Sequence, residues 1–345
     1  MKQLKKSKRA RRSAPVVPEI YRTDLGRMYA GTIEDALAGP VLSKAKGKVN
    51  LIVTSPPFPL VTKKQYGNET GETYLRWLQD LAPRLVELLT PDGSIVLEIG
   101  NAWVEGIPAM STLPLEALLA FKKAGELYLC QHAICHNPAR LPGPAAWVTV
   151  KRMRLKDTFT HVWWMSRTPW PKADNRRVLL PYSADMKRLL AKKTYNAGRR
   201  PSGHVISEEG FFADHGGSIS ANVIDLDTTA RLPGSLLKLT GTTWDARYRD
   251  YCKAHDVPPH PARMQQGLPA FFIEYLTDKN DLVFDPFAGS NTTGAVAEEL
   301  ARRWIAIEAR ADYAEGSKGR FDRFTASPDL PKAIRKGSRN AAPAR

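Results

Sequence analysis

The stretch Leu51-Ile-Val-Thr-Ser-Pro-Pro-Phe-Pro-Leu60 constrains this chain more than any other. An apolar run, Leu51 to Val53, ends against two consecutive prolines, with Ser55 before them and Phe58 after. Neither proline can donate to a strand ladder, so the chain must leave its sheet here. Ser55 and Phe58 are then held at the carboxyl end of a strand, where open α/β sheets bind their ligands. A rigid loop offering a hydroxyl, carbonyls and an aromatic face suits a flat, hydrogen-bonding guest such as a nucleobase. In isolation the same stretch also reads as an ordinary proline turn after a core strand, so the rest of the chain must decide.

Asp281-Leu-Val-Phe-Asp285 reads as a second buried strand, and Pro286-Phe-Ala-Gly-Ser-Asn-Thr-Thr-Gly294 turns it into a helix running to Ala301. Glycine lets backbone and ligand approach closely at such a turn, and the N–H groups that open the helix favour a polar or anionic guest. A nucleoside-triphosphate loop would end in Gly-Lys-Ser/Thr, and no lysine lies between Asp285 and Arg302. The dinucleotide fingerprint also fails, because Gly289-Ser-Asn291 lacks the second glycine. Trp304-Ile-Ala-Ile307 forms the next short strand and ends in Glu308, about twenty residues past the turn, where an acidic side chain accepts both hydroxyls of a ribose. A ribose site without a pyrophosphate cradle points to S-adenosylmethionine.

Thr54-Ser-Pro-Pro-Phe58, Asp285-Pro-Phe-Ala-Gly-Ser290 and the segment between them resemble the amino-directed DNA methyltransferases of the permuted (β) class, in which the catalytic motif precedes the cofactor motif. Within that class the chain is most similar to the cytosine-N4 methyltransferases of type II restriction-modification systems. Adenine-N6 enzymes usually carry Asp where this chain has Ser55. Asn137-Pro-Ala-Arg-Leu-Pro142, the run from Val162 to Arg177, and His260-Pro-Ala-Arg-Met264 leading into Leu268-Pro-Ala-Phe-Phe-Ile-Glu-Tyr275 extend the similarity over most of residues 25–315.

The resemblance implies an α/β, Rossmann-like methyltransferase fold with a doubly wound, mostly parallel sheet, circularly permuted motif order and a smaller target-recognition insertion. It implies S-adenosyl-L-methionine as cofactor, no metal, and double-stranded DNA as partner. It further implies a cognate restriction endonuclease acting on the same site, and a cytoplasmic, nucleoid-associated monomer or dimer. Ser55, Pro56, Pro57 and Phe58 would form the catalytic loop. Asp285 and Glu308 would anchor the cofactor, with Phe287 beside its adenine, Gly289, Ser290 and Thr292 at the glycine turn, and Pro269 opening a helix that closes over the methionine end. Two positions depart from the family pattern: Asn291 stands where many relatives have glycine, and Thr32 stands where many have an adenine-holding Asp. Asn tolerates positive φ, so the turn survives the first change.

The chemistry explains the residue types. The exocyclic nitrogen of cytosine is a poor nucleophile because its lone pair is delocalised into the ring. Acceptors aimed at its hydrogens, here the Ser55 hydroxyl and the Pro56 carbonyl, would favour a tetrahedral, electron-rich nitrogen during in-line transfer. Phe58 would stack on the base, which must be flipped out of the duplex to reach the loop. Three other readings stay open: adenine-N6 methylation, methylation of an amide or RNA base, and a DNA-binding relative without catalysis.

Composition agrees with a polyanionic partner, at a formal charge of +16 and a pI near 9.8. Seven of the first twelve residues are Lys or Arg and none is acidic, and the last fifteen are again basic. Both ends read as disordered arms, the first either a solubilising tail or a DNA-gripping one. The N-terminal arm lacks the apolar core of a signal peptide, and no apolar run approaches membrane-spanning length. Cys130, Cys135 and Cys252 form no metal-ligand pattern and suit a reducing cytoplasm. None follows a proline, as the nucleophile of a cytosine-C5 methyltransferase would.

These features divide the chain into a basic arm (1–20), a catalytic half (21–175), a target-recognition region (176–257), a cofactor half (258–325) and a basic tail (326–345). In the recognition region Arg176, Arg177, Lys192, Lys193, Arg199 and Arg200 are expected to meet DNA phosphates. Lys63 and Lys64, with Tyr66, would form a flap over DNA or a solvated connector. An amphipathic helix is predicted from Tyr74 to Leu89, a turn at Thr90-Pro-Asp-Gly93, and strands at Ser94–Glu98 and Phe159–Met165. Trp163-Trp164 reads as core more readily than as pocket lining, whereas Trp170 is open to either role.

Overall fold

The computed structural model describes residues 16–58, 71–193, 198–206, 212–225, 241–321 and 323–326. The basic arm through residue 15, the basic tail from residue 327, Lys63, Lys64, Tyr66 and Tyr195 lie outside the described residues. The strands are β1 (Glu19–Arg22), β2 (Gly26–Ala30), β3 (Val49–Thr54), β4 (Leu89–Gly100), β5 (Tyr128–His136), β6 (Phe159–Ser166), β7 (Gly198–Arg199), β8 (Val205–Ile206), β9 (Val223–Asp225), β10 (Leu282–Asp285), β11 (Arg303–Glu308) and β12 (Thr325–Ala326). Ten of them form one sheet in the order β12-β1-β2-β11-β10-β3-β4-β6-β5-β9, while β7 and β8 pair separately.

The five central strands, β2, β11, β10, β3 and β4, run parallel. They are covered on both faces, which is why Leu51-Ile-Val53 and Val283-Phe284 read as unbroken apolar runs. Helices Ile33–Ala38, Gly71–Val86 and Leu113–Ala124 bury one face. Helices Gly267–Leu276, Thr292–Glu299 and Ala311–Gly316 bury the other, completing the doubly wound α/β architecture. Antiparallel strands flank the parallel centre on both sides, so the sheet is mixed and mostly parallel. No helix among the described residues is long and apolar enough to cross a membrane.

Two local expectations shift. The amphipathic helix spans Gly71–Val86, burying Tyr74, Leu78, Leu81, Ala82 and Leu85, and stops before Leu89 because Leu89 enters the sheet opposite Val49. The predicted turn at Thr90–Gly93 is a bulge inside β4: Val49 pairs with Leu89, but Leu51 pairs with Ser94. The strand therefore resumes on the same neighbour it left.

The basic segment 176–257 is also less separate than its composition suggests. β9 extends the main sheet by pairing with β5, Ile134 opposite Val223. The helix Gly241–Ala254 packs on the cofactor half: Tyr248 and Cys252 are buried, and the Arg320 guanidinium lies 4.6 Å from the centre of the Tyr248 ring. Packing therefore joins residues 241–254 to the following segment.

Candidate active site

β3 and β10 are adjacent parallel strands, with Leu51 opposite Val283, so the loops that follow them emerge side by side. The buried Thr54 hydroxyl donates to Asp285 Oδ1 at 2.6 Å, joining two strand ends 231 residues apart. A cavity of about 610 Å³ opens above them. Ser55, Pro56, Pro57 and Phe58 line it from one side, and Asp285, Phe287, Ser290, Thr292 and Glu308 from the other.

The catalytic loop is held by β4. Ser55 Oγ donates to the Glu98 carbonyl oxygen at 3.4 Å. Phe58 packs against Gly100, where a Cβ would stand 2.6 Å from the ring's Cε2. The Glu98 side chain turns into the same cavity and accepts from Thr160 Oγ1 at 2.8 Å. Burial raises its carboxyl above the ordinary range. Asn137, Arg140 and Phe159 complete this wall.

On the cofactor side the backbone turns through two left-handed residues, Gly289 (φ 52°) and Asn291 (φ 55°). Asn291 does more than tolerate its position. Its Oδ1 accepts the Gly294 N–H at 3.1 Å, capping the helix Thr292–Glu299, and its Nδ2 donates to the Tyr21 hydroxyl at 3.0 Å. The Gly289 N–H donates to Glu308 Oε2 at 2.8 Å and the Arg310 N–H to Oε1 at 3.0 Å. Burial pushes the Glu308 carboxyl up to about 7 and that of Asp285 up to about 6, against the donors each accepts. Phe287 borders the cavity with its ring 5.5 Å from that of Trp77, whose Nε1 donates to Glu34 at 2.7 Å. Thr32 also lines the cavity, and its hydroxyl caps the helix Ile33–Ala38 by accepting from the Asp35 N–H at 3.2 Å.

Most predicted site residues therefore meet, with exceptions. Pro269 is buried in the core and stands outside the cavity lining; the segment just before its helix supplies His260, Arg263, Met264 and Gln265 instead. A Cβ on Gly289 would stand 3.2 Å from the His260 ring, whose pKa burial lowers to about 4, keeping it neutral. Arg177 is exposed but already engaged, donating to the Thr277 carbonyl at 2.7 Å and pairing with Asp278 at 2.7 Å, so it ties the chain together. Arg176 is exposed but forks onto Asp174 with two 2.8 Å bonds. Lys192, Lys193 and Arg199 are exposed, and none of these basic residues lines the cavity. Trp163 and Trp164 are core, Trp164 Nε1 donating to Ser94 Oγ at 2.9 Å. Trp170 is exposed and away from the cavity lining. Among the described residues no group of three or more His, Cys, Asp or Glu could hold a metal ion.

Sequence reasoning missed Glu98, Thr160, Asn137, Arg140 and His260. Asn137 and His260 open segments that carried the family resemblance, and that was their one signal.

S-adenosylmethionine fits the residues present. A buried carboxylate ends β11 with acceptor capacity left for a diol and an aromatic ring borders the cavity, while Gly289, itself outside the lining, holds that carboxylate through its N–H. Such a donor site sharing a cavity with an amino-acceptor loop, at the carboxyl ends of parallel strands, defines a nucleic-acid methyltransferase. The family model of the N6/N4 DNA methylases matches residues 49–319, and this chain belongs to that family. Type II methyltransferase M.PvuII of Proteus hauseri is 39% identical over 303 residues, 87% of this chain and 85% of that protein. The solved PvuII DNA methyltransferase, described as cytosine-N4-specific, superposes with a TM-score of 0.65 at 30% identity, covering 93% of this chain and 94% of its own. A proposed DNA modification methylase of Thermus thermophilus, solved with S-adenosyl-L-methionine, shares the fold at a TM-score of 0.50 and 19% identity, covering 86% of this chain and 93% of its own.

Proposed function

We propose that the protein methylates the exocyclic N4 of a cytosine flipped out of duplex DNA, at a specific site, and so shields that DNA from a cognate restriction endonuclease. The observation that carries this reading is the single cavity shared by Ser55-Pro-Pro-Phe58 and the Asp285–Glu308 pair. The 39% identity to M.PvuII supports the same target atom.

Bound at Glu308, S-adenosylmethionine supplies an electrophilic sulfonium methyl. Glu308 would accept the ribose hydroxyls and Phe287 would border the adenine, while Asp285 fixes the turn through its bonds to Thr54 and the Phe287 N–H. The Ser55 hydroxyl lines the cavity within 3.4 Å of the Glu98 carbonyl oxygen, and its lone pairs would accept from the amino group of a bound base. With the Pro56 carbonyl, they orient the two N–H bonds and stabilise charge developing on nitrogen. Glu98, whose carboxyl burial raises above the ordinary range, faces the same space from β4. Phe58 stacks on the base, worth about 1–3 kcal/mol by alanine substitution. No strong base is needed, since the methylated amine is acidic once formed.

Mass spectrometry of nucleosides from unmethylated plasmid DNA incubated with the protein and S-adenosylmethionine tests this reading. N4-methylcytosine that disappears with Ser55→Ala is expected. N6-methyladenine would overturn the target base, and no methylated nucleoside would overturn the reading.

A further inference from the structure

β5 and β6 are antiparallel neighbours, which a turn of two to five residues commonly joins. Here the chain inserts everything from 137 to 158, with the one helical turn Ala146–Val150 as its regular structure. The Asn137 N–H donates to the Thr158 carbonyl at 2.7 Å, closing the base of the loop. Both ends of the loop line the cavity: Asn137 and Arg140 on the way out, Thr158 and Phe159 on the return. The loop thus rises directly from the rim where Ser55 and Glu98 face inward.

The loop is tied down. Arg140 donates to the Phe159 carbonyl at 2.9 Å, Lys156 to that of Pro138 at 2.8 Å, and Arg154 to that of Pro108 at 2.9 Å. Its aliphatic side chains nevertheless face water: Leu141 is 84% exposed, Val150 76% and Leu155 91%. A loop held this firmly gains nothing from aliphatic tips in solvent unless a partner covers them. Composition identifies the partner. From Pro138 to Asp157 the chain carries Arg140, Lys151, Arg152, Arg154 and Lys156 against one acidic residue, Asp157, which at the base of the loop accepts from Asn101 Nδ2 at 2.8 Å. Cations around bare aliphatic tips fit a nucleic-acid duplex, where lysine and arginine meet phosphates and an apolar wedge enters the base stack.

We propose that the loop 138–157 is the element that enters duplex DNA beside the target base, Leu141 and Leu155 filling the space the flipped base vacates while Lys151 and Arg152 meet flanking phosphates. This assignment rests on the cavity being the seat of a flipped base. It places the wedge in the catalytic half of the chain, outside the basic segment 176–257.

The test compares two oligonucleotide duplexes built around a site that the wild-type protein methylates in plasmid DNA. One is fully paired; in the other an abasic site faces the target cytosine, which removes most of the unpairing work. The double variant Leu141→Ser with Leu155→Ser is expected to methylate the paired duplex about tenfold or more slowly, and the abasic duplex within about twofold of wild type. Both side chains are exposed, so the fold should not depend on them, and unchanged cofactor affinity checks this. Equal losses on the two duplexes, or no loss on either, would overturn the wedge. A wild-type protein that methylates no site in plasmid DNA would overturn the cavity's reading and the wedge with it, whereas a wild type active on both duplexes leaves the wedge to stand or fall on the variant alone. Lys151→Gln with Arg152→Gln is expected to reduce the salt dependence of binding to the paired duplex, and an unchanged slope would remove the phosphate contacts from the proposal.

Discussion

Gly100 and Phe58 are in contact because Gly100 has no side chain: a Cβ there would stand 2.6 Å from the ring's Cε2 and 2.8 Å from its Cδ2. Strand β4 thus sets the angle at which the catalytic loop offers its aromatic face. Gly100→Ala should push the ring off this seat and lower kcat/KM for DNA by about tenfold or more, near the loss expected for Phe58→Ala. Cofactor affinity should stay within about twofold of wild type. Steady-state kinetics on both substrates separates the two, and an equal loss of cofactor affinity would count against the stacking role.

Thr54 and Asp285 form the polar joint between the two motifs. Thr54→Val keeps the shape and removes the donor, leaving Asp285 with the Phe287 N–H and Thr293. A cost of about 1–3 kcal/mol is expected in urea unfolding, together with weaker cofactor binding in calorimetry. Unchanged stability would mean that the joint is not under load.

Glu308 and Asp285 both titrate above the ordinary carboxylate range because they are buried, near 7 and near 6. The native state therefore holds protons that the unfolded chain has released. Stability of the cofactor-free protein should be highest below about pH 4.5 as far as these groups are concerned, and fall as pH rises toward 7. Cofactor binding should run the other way, tightening from pH 6 to pH 8 as Glu308 ionises and accepts both ribose hydroxyls. Glu308→Gln should flatten both slopes and weaken binding. Thermal melts and calorimetry across that range check the signs.

Arg177 and Arg199 look alike in sequence but differ in the fold. Arg177→Ala removes bonds to the Thr277 carbonyl and Asp278, at a cost of roughly 1 kcal/mol given its partial exposure, and should leave the salt dependence of DNA binding unchanged. Replacing Arg199 and Arg200 together should reduce that salt slope with little effect on stability. Melting curves and binding at several salt concentrations distinguish the two outcomes.

Much of the site is legible in sequence because the signals are local. A buried parallel strand is an apolar run, and Pro-Pro or a Gly-containing turn marks where it stops, so Ser55, Phe58, Asp285 and Glu308 can be placed without knowing what lies beside them. Glu98 is different. It reads as the polar end of a strand, and only its pairing opposite Val162, with Thr160 nearby, turns its carboxyl into the cavity. Pro269 misleads for a related reason. Its position before two aromatics predicts a helix correctly, yet which face of that helix is buried depends on the sheet beneath it. The bulge at Thr90–Gly93 has true turn chemistry, and nothing local reveals that the strand resumes against β3.

The place of β3 between β4 and β10 has a consequence for how the protein is made. One neighbour follows soon after it on the chain; the other is not synthesised until residue 282. Through most of translation β3 carries apolar side chains beside one edge of unpaired backbone N–H and C=O groups, a ready template for pairing with other chains. The seam between the two motifs therefore closes only after residue 285 has been made.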